Sequence, residues 1–553
     1  MSAESTPLIQ PSRPAPNRPL NAARDLLRRN HSLFSGVTSQ LERSGLGAED
    51  SPRRNRCSQL TLGVLGISCL ILAGFYLLRP TNEPFAKRKM YDRALDIENI
   101  FDHLRAFSSL ADKNNGTRSV GSGYNASASY LLGQLASYAP CKPTTQSFTV
   151  PIWTQDEPAS LSTHGLVDVT LQEGRDFIHL RYGGGGGPIK VQGARVSPIL
   201  GNPCHSSSFK GSQGALALIP YPLPSNCSVW EAAYQAEVSK TSGVIFHLKY
   251  PRSGRLPNPR TRLTQWRQGD PLLSIPALMS SYSTGQLLAS GSLLRVDLSI
   301  SSSYTISTTS NILCLWQGRD ASSRSDVLVV GAHLDSVPAG PGLVDNASGS
   351  STTLSILLSL HRSGFQPSSS LLFAWWGSEE LGLLGSRAFV RALSQGETLA
   401  GVTRKDLIGA MNFDMLASPN GIPLIHDGKS APKALEQGSR VIQEEFEMYF
   451  EQANIPYELE PMWGGSDFLP FLLDGVPAGG ILTGAGEIKS PEERRDHGGL
   501  ARTPRDPCYH RDCDTLDNIN RPLLDLTSHA AQWAIVGLTS QPGLRDRLGM
   551  VAT

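Results

Sequence analysis

Side chains able to ligate a divalent cation recur in short polar clusters along the second half of the chain. They are His333 in His333-Leu334-Asp335, Asp345 twelve residues later, the adjacent pair Glu379-Glu380, Asp414, and His510 in Cys508-Tyr509-His510-Arg511-Asp512-Cys513. A histidine can offer one ring nitrogen to a metal while a carboxylate such as Asp335 takes the N–H of the other, which fixes the tautomer. Glu379 and Glu380, being adjacent, point in different directions, so one can bind metal while its neighbour faces a substrate. Each cluster alone has a plainer reading: a polar strand end, a glutamate pair complementing a helix dipole, or an aspartate N-cap. The joint set changes that judgement. Nitrogen and oxygen donors without thiolates suit a catalytic cation site with open positions, and no HExxH motif accounts for a metal otherwise.

The elements that must position these groups follow from hydrophobic patterning. From about Thr305, short buried strands alternate with longer helical segments, predicting an α/β fold: a mostly parallel, mixed central sheet with helices on both faces. Strands are expected at 326–333, 370–376, 406–414 and 476–484, and helices at 347–362, 380–394 and 431–447. The first three strands each run into one of the polar clusters, and the carboxyl ends of such strands border the crevice where open sheets bind ligands. Upstream, the spacing of Ile97, Ile100, Phe101, Leu104, Phe107 and Leu110 fits one face of a helix. A second helix is expected at 126–136 and an extended segment at 144–150. The run Gly183 to Gly187 reads as a loop between short strands, because no GxxxxGK[ST] pattern surrounds it.

Lys+Arg 50 against Asp+Glu 49 gives a formal charge of +1 over 553 residues, so no general electrostatic attraction to nucleic acid is expected. The 8 cysteines are too few for a disulfide scaffold, and no CxxC pair is present. Residues 1–58 have the composition of a disordered cytosolic tail. Leu60 to Leu78 carries no charge and is flanked by Arg53, Arg54, Arg56 and Arg79; at 1.5 Å per residue such a stretch crosses a hydrocarbon layer of ~30 Å. It predicts a signal anchor over 59–79 and a single-pass type II protein with its catalytic part luminal or extracellular. Asn115, Asn125 and Asn226 lie in sequons beyond it and are expected to be glycosylated. In the tail, Glu4, Leu8 and Ile9 form a pattern similar to the acidic dileucine signal read by sorting adaptors. It favours a vacuolar or lysosomal membrane over the cell surface.

The ordered segments HLDS, GPGLVDNASG, WWGSEELGLLGS, MNFDM, GGSDF, PAGGILTGA and CYHRDCDT resemble the signatures of the co-catalytic di-zinc aminopeptidases, which include secreted bacterial leucine-type and fungal vacuolar enzymes. The resemblance runs from about Ile97 to Gly537. It implies two zinc ions per chain, with Asp345 bridging them, His333 and Asp414 completing one site, and Glu380 and His510 completing the other. It further implies Glu379 as general base, Tyr509 as oxyanion donor, and a Cys508–Cys513 disulfide that stiffens the His510 loop. Substrates would be peptides with a free amino terminus. The secreted bacterial enzymes carry an Arg just before the Ser-Asp that here reads Ser466-Asp467, where this chain has Gly465.

Residues 160–298 resemble an inserted protease-associated domain, a small β-rich module in which Cys204 and Cys227 can pair. It would divide the peptidase domain into 80–159 and 299–540, ahead of a tail at 541–553. The sequon at Asn346 lies inside the metal cluster and is expected to stay unglycosylated. Two rival classes share the architecture: a glutaminyl cyclase with a single zinc, and a non-catalytic receptor of the transferrin-receptor type. Retention of the full ligand set speaks against both.

Overall fold

The computed structural model describes residues 83–252, 256–291 and 293–550. Its central sheet of ten strands runs, edge to edge, through Glu458–Pro461, Leu424–Asp427, Ala478–Leu482, Leu407–Phe413, Val327–His333, Ser370–Trp376, Arg295–Trp316, Thr144–His164 and Val169–Leu171, with Gly187–Ala194 also paired to Arg295–Trp316. Neighbours from Ala478–Leu482 to Ser370–Trp376 are parallel, and the pairs beyond Trp376 are antiparallel. The sheet is therefore mixed, and its parallel centre carries the polar clusters.

The centre forms because its strands are apolar on both faces. In Val327–His333 every residue is buried, and side chains alternate: Leu328 and Val330 join Phe373 and Trp375 on one face, while Val327 and Val329 join Leu372 and Trp376 on the other. Helix Ser348–Arg362 is buried from Ser348 through Leu360, and it follows the Asp345 segment directly. Gly349 allows this approach, since a Cβ there would lie 2.2 Å from the Phe413 carbonyl oxygen. The helix expected near Ile97 spans Ile97–Asp112, capped by Asp96, whose side chain accepts from the Glu98 amide.

Two expectations need correction. The helix expected at 380–394 begins only at Leu384, because Gly382 (φ 110°) and Leu383 (φ 58°) turn the chain out of the right-handed helical region. Glu379 and Glu380 thus sit on a turn between strand and helix. The extended segment expected at 144–150 is a strand of 21 residues, Thr144–His164, paired along Arg295–Trp316. Both strands run unbroken through residues 160 and 298. A second sheet of five strands, ordered Phe177–His179, Ala277–Ser280, Gly243–Leu248, Leu216–Tyr221 and Val196–Pro198, lies between them in sequence and encloses its own core.

The single-pass membrane assignment is also corrected. Among the described residues no helix is long and apolar enough to cross a membrane. The longest, Arg521–Thr539 with 19 residues, interrupts its apolar positions with Asp525, His529 and Gln532 and packs into the core. The stretch Leu60 to Leu78, the tail 1–58 and its Glu4, Leu8 and Ile9 lie outside the described residues, and the vacuolar placement built on them is withdrawn.

Helix Ile97–Asp112 also carries an acid-sensitive group. His103 is buried, its Nδ1 lies 2.7 Å from the Tyr130 hydroxyl, and burial pushes its pKa down to about 4 from an ordinary 6.5. Above pH 6.5 neither the folded nor the unfolded chain binds a proton there, so stability is unaffected. Between 6.5 and about 4 the unfolded chain takes up a proton that the folded one refuses, and stability falls with pH. The loss attributable to His103 between pH 7 and 4.5 is about 2–3 kcal/mol. His103→Gln keeps an acceptor for Tyr130 without titrating, so urea unfolding at the two pH values should show a correspondingly smaller difference. An unaltered difference would refute the assignment.

Candidate metal centre

Strand register brings the clusters together. His333 ends its strand level with Trp376, and Asp414 follows Phe413 directly. Glu379 and Glu380 follow Trp376 on their turn, and Asp345 enters from the segment leading into Ser348–Arg362. All converge at the carboxyl edge of the parallel strands. His510 reaches the same point on a loop closed by the Cys508–Cys513 disulfide.

Two triplets result, and they share one residue. His333 Nε2 lies 3.2 Å from Asp345 Oδ1 and 3.3 Å from Asp414 Oδ1. His510 Nε2 lies 3.1 Å from Asp345 Oδ2 and 3.1 Å from Glu380 Oε2. Within each triplet the ligand atoms all fall within 4.8 Å of one another. Asp345 therefore presents one oxygen to each histidine.

The donors fit divalent cations. His333, Asp345, Glu380 and Asp414 are each at most 5% exposed, and among the described residues His333 Nε2, Glu380 Oε1 and Asp414 Oδ1 have no hydrogen-bond partner. Burying such atoms without hydrogen bonds costs kilocalories, a cost that a bound cation offsets. Burial opposes charge on His333, yet the carboxylates of Asp414, Asp335 and Asp345 hold its imidazole well above the ordinary range. The pocket favours positive charge. Nitrogen and carboxylate oxygens without sulfur match zinc.

A second layer holds these ligands. Asp335 accepts from the backbone amides of Glu379 (3.0 Å) and Glu380 (3.2 Å), which fixes the turn. Asp335 also faces His333, whose Nδ1 is 3.1 Å from the Asp335 backbone oxygen and 3.6 Å from its Oδ1. Asp514 accepts from the amides of Val344 (2.8 Å) and Asp345 (3.1 Å). Burial pushes its carboxyl up to about 7. The Ser466 hydroxyl donates to Asp414 Oδ2 at 2.6 Å and accepts from Asn412 Nδ2 at 2.7 Å. Arg118, fully buried, donates to the carbonyls of Leu334, Pro341 (2.8 Å) and Gly342 (2.6 Å) beneath the Asp345 segment.

Sequence reasoning did not single out Asp514, Ser466 or Arg118 for these tasks. Asp514 and Ser466 stand inside quoted segments, CYHRDCDT and GGSDF, so a signal existed. Arg118 stands in no motif. The Cys141–Cys314 disulfide was likewise unforeseen, and its partners are 173 residues apart. Cys204–Cys227 is formed as expected.

Tyr509 stacks on His510 with ring centroids 3.8 Å apart, and its buried hydroxyl has no hydrogen-bond partner among the described residues. Asn115, Asn125 and Asn226 are exposed. Asn346 is fully buried, its Nδ2 donating to the Phe413 oxygen, which leaves no room for a glycan.

Residues 311–534 match the model of peptidase family M28. An aminopeptidase of Pseudomonas aeruginosa is 30% identical over 447 residues, a span covering 79% of this chain and 80% of that protein. The chain belongs to peptidase family M28. Leucine aminopeptidase 2 of Trichophyton rubrum is 33% identical over 341 residues, 60% of this M28 chain and 64% of its own. The solved aminopeptidase from Aneurinibacillus sp. strain AM-1 superposes with a TM-score of 0.61 at 20% identity, covering 81% of this chain and 95% of that one. At that identity it shows a shared fold. The M28 protein is a peptidase.

Proposed function

We propose that this M28 peptidase removes residues from the free amino ends of peptides and holds two zinc ions. His333, Asp345 and Asp414 would hold one ion, and Asp345, Glu380 and His510 the other. The observation that carries this reading is the placement of the two Asp345 oxygens, each about 3 Å from a different histidine. Relatives named as aminopeptidases support the exopeptidase half of it. Bound zinc ions polarise a scissile carbonyl and make water more acidic.

The protein's own groups would do the rest. Glu379 belongs to neither triplet; it takes the proton of the attacking water and passes it to the leaving amine. Burial, together with the neighbouring carboxylates of Glu380 and Asp467 and against the pull of His333, pushes its carboxyl well above the ordinary range, making it a stronger acceptor once ionised. Tyr509, whose hydroxyl has no hydrogen-bond partner among the described residues, donates to the oxygen that gains negative charge. Asp335 keeps Glu379 and Glu380 aimed apart by gripping both of their amides. The five-stranded module, read as the protease-associated domain, shapes the rim of the site.

The purified protein supplied with zinc should release free amino acids from an unblocked peptide, be stopped by N-acetylation of that peptide, and lose activity to a chelator. About two zinc ions per chain are expected. One per chain would favour the cyclase class and none the receptor class, while hydrolysis confined to blocked peptides would refute an aminopeptidase.

A further inference from the structure

A cleft of about 130 Å³ adjoins the metal centre, with Asp335 and Glu380 in its wall. Trp153, Tyr182 and Leu381 and two arginines, Arg181 and Arg260, also line it. Both arginines come from the segment between the two long strands. Arg260 donates to the Glu380 backbone oxygen at 2.8 Å, and Arg262 donates to the Leu381 oxygen. The segment is thereby tied directly to the turn that carries a proposed ligand. Thr261 bonds the Arg181 backbone oxygen through its amide (2.9 Å) and hydroxyl (3.0 Å), which keeps the two arginines side by side.

Arg181 is the unusual member. It is half-buried, and among the described residues its guanidinium has no hydrogen-bond or ion-pair partner. Burial, and then the like charge of Arg260, lower its pKa, against the pull of the Glu380 carboxylate. Glu380 in the same wall offsets part of the repulsion between the two arginines, but it does not engage the donors of Arg181, which remain open to a further acceptor. A planar carboxylate suits the guanidinium fork. The arginine pair disfavours the ammonium at the free end of a peptide beside it, so the part of the cleft it borders suits a residue other than the first.

We infer that this cleft binds the residue following the scissile bond, with Arg181 and Arg260 engaging a carboxylate on it and Trp153, Tyr182 and Leu381 packing its side chain. This rests on the aminopeptidase reading. The carboxylate has two possible sources: the terminal carboxylate of a dipeptide, or the side chain of an acidic second residue. In the first case the enzyme is tuned to the shortest peptides.

The test compares kcat/KM for Leu-Phe with Leu-Phe-amide, and for Leu-Glu-amide with Leu-Gln-amide, in the wild type, Arg181→Gln and Arg181→Lys. A charge-assisted bond predicts a preference of about tenfold to a hundredfold for the carboxylate member in at least one pair. The pair that shows it names the source. The preference should collapse toward one in Arg181→Gln and partly return in Arg181→Lys. Ratios near one for both pairs in the wild type overturn the inference without any variant, as does an equal loss on all four substrates in Arg181→Gln, which is the mark of a structural role. Failure of the wild type to cleave any of the four overturns the aminopeptidase reading together with this one, a result distinct from equal cleavage of all.

Discussion

Replacing Glu379 by Gln lowers kcat by about 10²–10⁴-fold and leaves the zinc content of the protein unchanged. The two halves of this expectation come from different parts of the structure. Glu379 supplies no atom to either triplet, so the amide costs no ligand. Asp335 holds residue 379 through its backbone amide, which Gln retains, so the turn and the neighbouring Glu380 keep their places. What disappears is the carboxylate proposed to accept a proton. Turnover measured on an unblocked peptide, beside metal analysis of the same preparation, checks both halves. Zinc lost along with activity would make Glu379 a ligand. A kcat within a few-fold of wild type would mean that another group moves the proton. The adjacent variant Glu380→Gln should do the opposite in one respect, because Oε2 of Glu380 stands beside His510: its zinc content falls.

The parts of the site that were legible from the sequence are those written locally. His333 and Asp414 terminate apolar runs whose burial on both faces is inevitable in a parallel sheet, so their position at the carboxyl edge follows from patterning. Glu379 and Glu380 were placed correctly at that edge but on the wrong element. WWGSEELGLLGS reads as continuous helix after the strand, and only the positive φ of Gly382 and Leu383 reveals the intervening turn. The full length of strand Thr144–His164 is not legible locally because its outer half is rich in Gln, Asp, Glu and Ser with few apolar residues, and its register comes from Arg295–Trp316 far along the chain. Arg118 was beyond local reading altogether. Its three carbonyl partners, at Leu334, Pro341 and Gly342, lie more than 200 residues away and form one cup only after folding. A buried cation without a motif leaves no trace in spacing.

Asp345→Asn should abolish binding of both zinc ions, whereas Asp414→Asn should lose only one. The asymmetry follows from sharing. Removing Asp414 leaves His333 and Asp345 as a weakened pair but keeps Asp345, Glu380 and His510 complete; removing the Asp345 carboxylate leaves two donors in each triplet. The asparagine retains size, and its backbone amide still meets Asp514, so the segment has no steric reason to move. Catalysis should fall at least as far in Asp345→Asn as in Glu379→Gln, since it removes the chemistry that the ions supply as well as their binding. Zinc per chain after gel filtration gives the first readout. The second is thermal: a cation that binds only the folded protein raises its stability with concentration, so added zinc should raise the Tm of the wild type clearly, that of Asp414→Asn less, and that of Asp345→Asn hardly at all. If Asp345→Asn and Asp414→Asn retained equal zinc, Asp345 would serve a single site, and the bridging role proposed for it would have to be abandoned.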